Sequence, residues 1–348
     1  MIILTDIQEH DFKDFAENLD GEMTTRLMEF VDSLRFVGKY MLDTQDKNLV
    51  FLGDMFEVKG YVKVLVYNIV YKEFVRLTDQ GIKLWMLTGN HDQYDQGGLI
   101  HSLVPFKSIA KVYDTLKVDQ IDGITCVFIP YRKDKKQFYE DLAKVEKMSL
   151  PPDSILFLHQ ILEGAKINDS FYASRAGLVI PESVRTKFKY IFCGDVHTKQ
   201  RFSNIVYPGS LFSRDFKDAF ETKGFIRYLD GEILDINNPH SPLFLKYRIE
   251  NLSDIDTIKL EHTAKIYLDI EAKKEFKDVL EKKLDSLEHV KYRIRLIKDA
   301  PAEIRRTDIK LVMPTEEVLC HYVEHAGNND QALKDLGISI YKEALKKE

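Results

Sequence analysis

Lys83-Leu84-Trp85-Met86-Leu87-Thr88-Gly89-Asn90-His91-Asp92 is the stretch that decides the fold. A short apolar run stops at a turn-forming Gly-Asn pair, followed by an imidazole and a carboxylate. The same pattern recurs on both sides. Upstream, Leu49 to Leu52 stops at Gly53-Asp54, and Ile2 to Leu4 stops at Asp6-Ile7-Gln8. Downstream, Ile155 to Leu158 stops at His159, and Tyr190 to Cys193 stops at Gly194-Asp195-Val196-His197. Five polar clusters therefore each close a strand-like segment. No one of them is specific alone, whereas five in this order point to a single convergent site.

The intervening segments set the fold class. Met23, Leu27, Phe30, Val31, Leu34, Val37 and Met41 recur at helical spacing, and Val62 to Leu77 reads as a second amphipathic helix. The β-α-β-α-β alternation calls for a sheet covered by helices. Beyond Asp92 strands dominate: Val112-Tyr113, Ile124 to Ile129, Ile155 to Leu158, Tyr190 to Cys193, Ile205 to Tyr207 and Phe225 to Leu229, with one helix near Phe138 to Met148. The expected fold is α/β, a two-sheet β-sandwich flanked by helices, over residues 1–245. Strand Ile266 to Ile270, helix Lys273 to Leu287 and strand Tyr292 to Ile297 predict a small β-α-β capping domain over 246–300. Residues 301–348 read as a linker and C-terminal helices, one of them starting at Pro314-Thr315.

The chain has 348 residues, 44% of them hydrophobic, enough for a substantial core. Cys126, Cys193 and Cys320 follow neither a metal-binding nor a disulfide spacing, so a reducing compartment is expected. No leader and no membrane-spanning run is evident, and the expected location is the cytoplasm, with no membrane partner. A formal net charge of -6 argues against a protein that coats polyanions generally. Local basic groups remain: Arg132, Lys133, Lys135 and Lys136 after one strand, and Lys199 and Arg201 beside the last motif. The first group reads as a solvated loop, while Lys199 and Arg201 are candidates for DNA contact.

Hard divalent cations take oxygen or imidazole ligands, and phosphodiester cleavage is served by two of them about 3.5 to 4 Å apart. Asp54, following Gly53 at a strand tip, is the candidate shared carboxylate. Asp6 and Gln8, and likewise Asp195 and His197, are spaced by two and share one side of an extended segment. Asn90 offers an amide oxygen and His159 an imidazole.

These residues resemble the calcineurin-like metallophosphoesterase superfamily, whose pattern is Asp-x-His, Gly-Asp, Gly-Asn-His-(Asp/Glu), His and Gly-His-x-His. The motif match covers about residues 1 to 230. The resemblance implies that Asp6, Gln8, Asp54 and His197 surround one metal and that Asp54, Asn90, His159 and Asp195 surround the other. It implies that His91 contacts the scissile phosphate or protonates the leaving oxygen, with Glu57 orienting that histidine. Ile129-Pro130-Tyr131, Tyr207-Pro208-Gly209-Ser210 and Lys223-Gly224-Phe225 resemble SbcD-type nuclease subunits, and the ending Ile340-Tyr341-Lys342-Glu343-Ala344 resembles tailed-bacteriophage versions. That likeness implies manganese-dependent exonuclease action on double-stranded DNA ends and endonuclease action on single strands or hairpins. It also implies a homodimer and an SbcC-type coiled-coil ATPase as partner, docked through Val318, Leu319, Tyr322, Leu336 and Ile340.

Two positions depart from the pattern. Gln8 and Asp195 stand where histidines are usual, which makes the ligand set oxygen-rich and favours Mn, or else Mg, over Zn. His10 is an alternative ligand two residues beyond Gln8. Two rival readings keep the fold: a phosphodiesterase of small molecules, and a scaffold subunit weakened in catalysis.

Overall fold

The computed structural model describes residues 1–19, 21–95, 98, 100–168, 171–172, 177–258, 260, 265–297 and 331–345. In chain order, the first elements are β1 (Ile2–Leu4), α1 (Thr25–Thr44), β2 (Asn48–Phe51), α2 (Val64–Asp79), β3 (Lys83–Leu87), β4 (Ala110–Tyr113), β5 (Lys117–Ile121) and β6 (Ile124–Ile129). Then come α3 (Lys135–Glu146), β7 (Ile155–His159), β8 (Lys166–Asn168), β9 (Phe171–Tyr172), α4 (Glu182–Arg185), β10 (Tyr190–Gly194), β11 (Gln200–Phe202) and β12 (Ile205–Tyr207). They are followed by β13 (Gly224–Leu229), β14 (Glu232–Asn237), β15 (Leu243–Ile249), β16 (Ile266–Ala272), α5 (Lys277–Leu284), β17 (Val290–Leu296) and α6 (Gln331–Leu345). Residues 1–296 form one compact unit, and the chain from Ile297 onward forms another.

Two six-stranded sheets make the body, ordered β14-β13-β1-β2-β3-β4 and β11-β12-β10-β7-β6-β5. Alternation along each strand divides the side chains between two cores. Ile3, Val50, Leu52, Trp85 and Leu87 of the first sheet meet Cys126, Phe128, Phe157 and Phe192 of the second in the inner core. Ile2, Leu4, Leu49 and Phe51 point the other way, onto Phe30, Leu34, Phe74 and Leu77 of α1 and α2. On the far side, Val127, Ile129, Leu156 and Leu158 pack against Phe138, Leu142 and Val145 of α3. The architecture is thus a two-sheet sandwich with helices outside both sheets, as expected. Helix α1 begins at Thr24, whose Oγ1 accepts from Leu27 N at 3.2 Å, satisfying one of the free amides of its first turn.

Within the unit of residues 1–296, the segment expected to form a capping domain holds one strand more than its β-α-β reading. β15, β16 and β17 form an all-parallel three-stranded sheet, with Leu245 and Ile249 of β15 packed into the same core as Leu268, Ile270 and Leu280. The expected boundary at 245/246 therefore falls inside β15. Phe244 and Tyr267 carry this domain onto Phe15 and Phe216 of the body. Among the described residues, no helix is long and apolar enough to cross a membrane.

Candidate metal centre

β1, β2 and β3 run parallel in one sheet, and β6, β7 and β10 run parallel in the other, so each sheet delivers its loops at one edge. In register, Gly194 lies directly beside His159. The loops are tightly turned: Asp6, Gln8, Asp54 and Asp195 all have positive φ, at 51°, 42°, 62° and 81°. Left-handed backbone costs a non-glycine residue about 1–2 kcal/mol, and four such positions converge here, as is common where a site and not the fold selects the geometry. Two glycines permit the approach. A Cβ on Gly89 would lie 2.2 Å from Asp54 Oδ1, and one on Gly194 would lie 2.4 Å from His159 Nδ1.

Asp6, Asp54 and His159 are fully buried, and their ligating atoms lie within 4.8 Å of one another. Thr5 Oγ1 donates to Asp6 Oδ2 at 2.7 Å and the Asp195 amide donates to it at 3.1 Å. Asp6 Oδ1 is buried with no hydrogen-bond partner among the described residues. Asp54 is held from both sides: the His91 amide donates to Oδ1 and Gln8 Nε2 to Oδ2, each at 2.8 Å. Asp92 ties the two loops together by accepting from the amides of Asp54, Met55 and Gly89 at 2.8, 3.0 and 2.9 Å.

His159 is set as a ligand by its neighbours. Its Nδ1 lies 2.6 Å from the Leu52 carbonyl, which can only accept, so Nδ1 carries a proton. Burial disfavours the charged ring, but the Asp54 carboxylate raises its pKa well above the ordinary value, so Nε2 is protonated as well until a cation takes that proton's place. That Nε2 lies 3.4 Å from Asp54 Oδ1, 3.9 Å from Asp195 Oδ1 and 2.9 Å from the Asn90 amide. The electrostatics fit a cation. Burial opposes ionisation of Asp54, but the charge and hydrogen bond of His159 outweigh it and hold the carboxyl well below its usual range. Burial lifts Asp195 to about 6 against the pull of His159, and burial also raises Asp6. Three crowded carboxylates around one imidazole need positive charge that the ring alone does not provide.

His91 lies beside Asp54. Its Nδ1 meets the main-chain carbonyl of Glu57, so the same logic leaves Nε2 as the free nitrogen. It is the Glu57 carbonyl that touches the ring. The Glu57 carboxylate turns instead to Arg214, whose Nη1 donates to Oε2 at 2.9 Å.

Arg214 is the site residue that the motifs did not reveal. Its Nη1 also donates to Gln8 Oε1, and its Nη2 donates to His197 Nδ1. His197 Nε2 then faces Asp6 Oδ1 at 3.7 Å. Burial, with Arg214 second, pushes the His197 imidazole down to about 4, so the ring is neutral at neutral pH. Arg214 lies 206 residues from Gln8 in a Ser-Arg-Asp stretch without any recognisable spacing, so only the fold brings it in.

Comparison with known proteins adds one sequence relative. The chain is similar to the DNA double-strand break repair protein Mre11 of Methanocaldococcus jannaschii. Identity is 26% over 284 residues, covering 76% of this chain and 68% of that protein. No family model matches. Among solved structures, a dimetal phosphatase from Danio rerio aligns with a TM-score of 0.38 and 11% identity, over 65% of this chain and 90% of that one.

Tested against two cations, the site gives two answers. Asp6 Oδ1, Asp54 and His159 Nε2, with Asn90 and Asp195 beside them, fit one hard divalent ion. Gln8 and His197, the residues expected to complete a second position, have their accepting atoms occupied by Arg214. The remaining candidates lie apart from the cluster. Arg201 Nη2 reaches Asp235 Oδ2 at 2.6 Å and Lys199 Nζ reaches Oδ1 at 3.9 Å, so one carboxylate offsets both cations. Arg132 is buried against Asp141 at 2.9 Å and is structural, and His10 packs on Phe12. Leu336 and Ile340 lie four residues apart on α6 and are 55% and 59% exposed. Val318, Leu319, Tyr322 and the Pro314-Thr315 helix start lie outside the described residues.

Proposed function

We propose that the chain is a metal-dependent phosphodiesterase of the calcineurin-like metallophosphoesterase superfamily, acting on DNA as an SbcD-type nuclease subunit. The observation that carries this reading is the buried Asp6–Asp54–His159 cluster with its orphaned Asp6 oxygen, set beside an imidazole whose Nε2 is free. Asp6, Asp54 and His159 would hold a divalent cation there, which would polarise the phosphate and lower the pKa of bound water. Manganese is the proposed ion, with magnesium as the substitute. Asp54 and Asp6 place the ligating oxygens, Asp92 fixes the loops that carry Asp54 and Asn90, and Leu52 fixes the tautomer of His159. His91, held through Nδ1, would direct Nε2 at the scissile phosphate, and in its doubly protonated form would pass the Nε2 proton to the leaving oxygen and keep the one on Nδ1.

DNA as substrate rests on the similarity to a break-repair protein over 284 residues and on the small domain fixed to the body at Phe244 and Tyr267. The proposed partners are double-stranded DNA ends, single-stranded DNA, a second copy of the chain and an SbcC-type ATPase. The exposed Leu336 and Ile340 pair supports docking of α6 on such a partner. The test is digestion of end-labelled linear duplex, single-stranded and hairpin DNA by the full chain with manganese, magnesium or chelator. Manganese-dependent cleavage of DNA that disappears in His91→Ala is expected. Hydrolysis confined to small phosphodiesters, or none with any cation in the presence of the ATPase, overturns the nuclease reading.

A further inference from the structure

We infer that Arg214 takes the place of one of the two cations, so that this centre binds a single divalent ion per chain and uses a guanidinium as its second positive charge. The inference rests on the cation reading above and sharpens it. Three observations carry it.

The first is occupancy of ligand atoms. A Gln8 ligand binds through its carbonyl oxygen, and that oxygen accepts from Arg214 Nη1 while the amide nitrogen is committed to Asp54 Oδ2 at 2.8 Å. One planar amide thus bridges the guanidinium and the Asp54 carboxylate. The second is the seating of His197. Arg214 Nη2 lies against His197 Nδ1 and 3.3 Å from Nε2, and arginine only donates, so the accepting nitrogen of this ring is taken by the guanidinium. His159 shows the opposite arrangement, with its Nδ1 on a main-chain carbonyl and its Nε2 aimed at the carboxylates of the cluster. Of the two histidines, one is set to ligate and the other to receive an arginine.

The third is that Arg214 is built in. Its amide donates to Asp218 Oδ2 at 3.0 Å, its carbonyl accepts from Arg26 Nη2 at 2.5 Å, and its side chain is 9% exposed. Asp218 is itself paired with Lys223 at 3.0 Å, and Lys223 Nζ also donates to the His197 carbonyl at 2.9 Å. The guanidinium reaches the centre from a backbone fixed at both polar groups and beside the residues it contacts. Three of its five N–H groups serve Gln8, Glu57 and His197, and Nε is buried without a hydrogen-bond partner among the described residues. A fixed guanidinium stabilises charge developing on a transferring phosphoryl group as a second cation does, without exchange with solvent.

The test is metal counting on the full chain. Protein is equilibrated with MnCl2 by dialysis, bound manganese per chain is measured by elemental analysis, and the electron paramagnetic resonance spectrum distinguishes isolated from spin-coupled ions. One ion per chain with an uncoupled spectrum is expected for the wild type. Arg214→Ala is expected to free Gln8 and His197 and bind two ions with a coupled spectrum, while Arg214→Lys stays at one. Two coupled ions in the wild type overturn this inference and leave the phosphoesterase reading standing. No bound ion overturns both. One ion in Arg214→Ala, and in Arg214→Gln should the alanine variant not fold, shows that the arginine is not what excludes the second and also overturns the inference.

Discussion

Arg26 Nη2 donates to the main-chain carbonyl of Arg214 at 2.5 Å, and the Arg26 side chain is buried among aromatic rings. Its guanidinium carbon lies 4.9 Å from the centroid of Tyr267, 5.1 Å from Phe244 and 5.3 Å from Phe12, and its Nη1 pairs with Glu29 at 3.1 Å. One buried cation therefore joins α1, the faces of β15 and β16, and the loop that aims Arg214 at Gln8. The seating of the small domain and the position of the site arginine share a support.

Arg26→Ala removes that support and leaves the Glu29 carboxylate buried. Breaking a buried ion pair by deleting one partner typically costs about 3–5 kcal/mol. The Tyr267 hydroxyl and the more distant Lys265, 3.9 Å away, retain part of the compensation for Glu29, so about 3 kcal/mol is expected. Urea unfolding of the two proteins measures the difference. A loss below about 1 kcal/mol would show that the aromatic enclosure, not the charge pair, holds the domain.

Gly89→Ala places a methyl 2.2 Å from Asp54 Oδ1, where neither the Asp54 side chain nor its amide at 2.6 Å has room to retreat. Displacement of a ligand by an ångström costs a rate on the order of 100-fold. Weaker manganese binding and at least that loss of hydrolysis are expected. Gly123→Ala is the control for a glycine-to-alanine change away from the centre: it meets a positive φ, of 80°, but its Cβ enters open space. It should cost about 1–2 kcal/mol of stability and leave turnover unchanged. Equal loss of activity in both variants would place the effect in folding and not at the centre.

The pairing of Glu73 with two arginines yields a pH signature. Burial opposes its ionisation, but hydrogen bonds from Arg35 and Arg76 outweigh this and lower its pKa. A lowered carboxyl pKa contributes stability that is present above the unfolded value near 4.5 and is lost as pH falls through the folded one. Glu73→Gln is expected to cost about 1 kcal/mol at pH 7 and progressively less between pH 5 and pH 3. Chemical denaturation across that range checks it, and a gap that stays constant with pH would show that shape, not charge, is what Glu73 supplies.

The sandwich was legible because its central strands are unbroken apolar runs buried on both faces, and because each stops at a polar cluster. Strands with mixed faces were harder to see. β14 is Glu-Ile-Leu-Asp-Ile-Asn on a sheet edge with no buried residue, and β5 and β11 are edge strands of similar character. A signal for two of the missed pairings was nonetheless present. Asp122-Gly123 and Asp230-Gly231 have the consecutive positive φ values of tight hairpin turns, and each joins a missed strand to one that was found. At the site, motif spacing placed Asp6, Asp54, Asn90, His159 and Asp195 together, since each closes a parallel strand. It had no means of showing that Gln8 faces a guanidinium. Residue 8 reads as a ligand by position, and only the arrival of Arg214 from a distant loop turns its oxygen away.

Asp195 offers the sharpest check on the charge balance of the centre. Burial raises its carboxyl to about 6, above an ordinary value of 3.8. With a raised folded pKa, the contribution to stability is full below the unfolded value and is lost as pH rises through about 6. Asparagine mimics the protonated form at every pH. In chelator, Asp195→Asn should therefore match the wild type near pH 4 and exceed it at pH 7.5, by on the order of 2 kcal/mol. Manganese should reverse the order at pH 7.5, because the ionised carboxylate then faces a cation and the amide does not attract it as strongly. Thermal or urea unfolding in the four combinations of protein and metal reads both signs. A wild type that is the more stable in chelator at pH 7.5 would mean that His159 already balances the carboxylates, and that the centre needs no added positive charge at all.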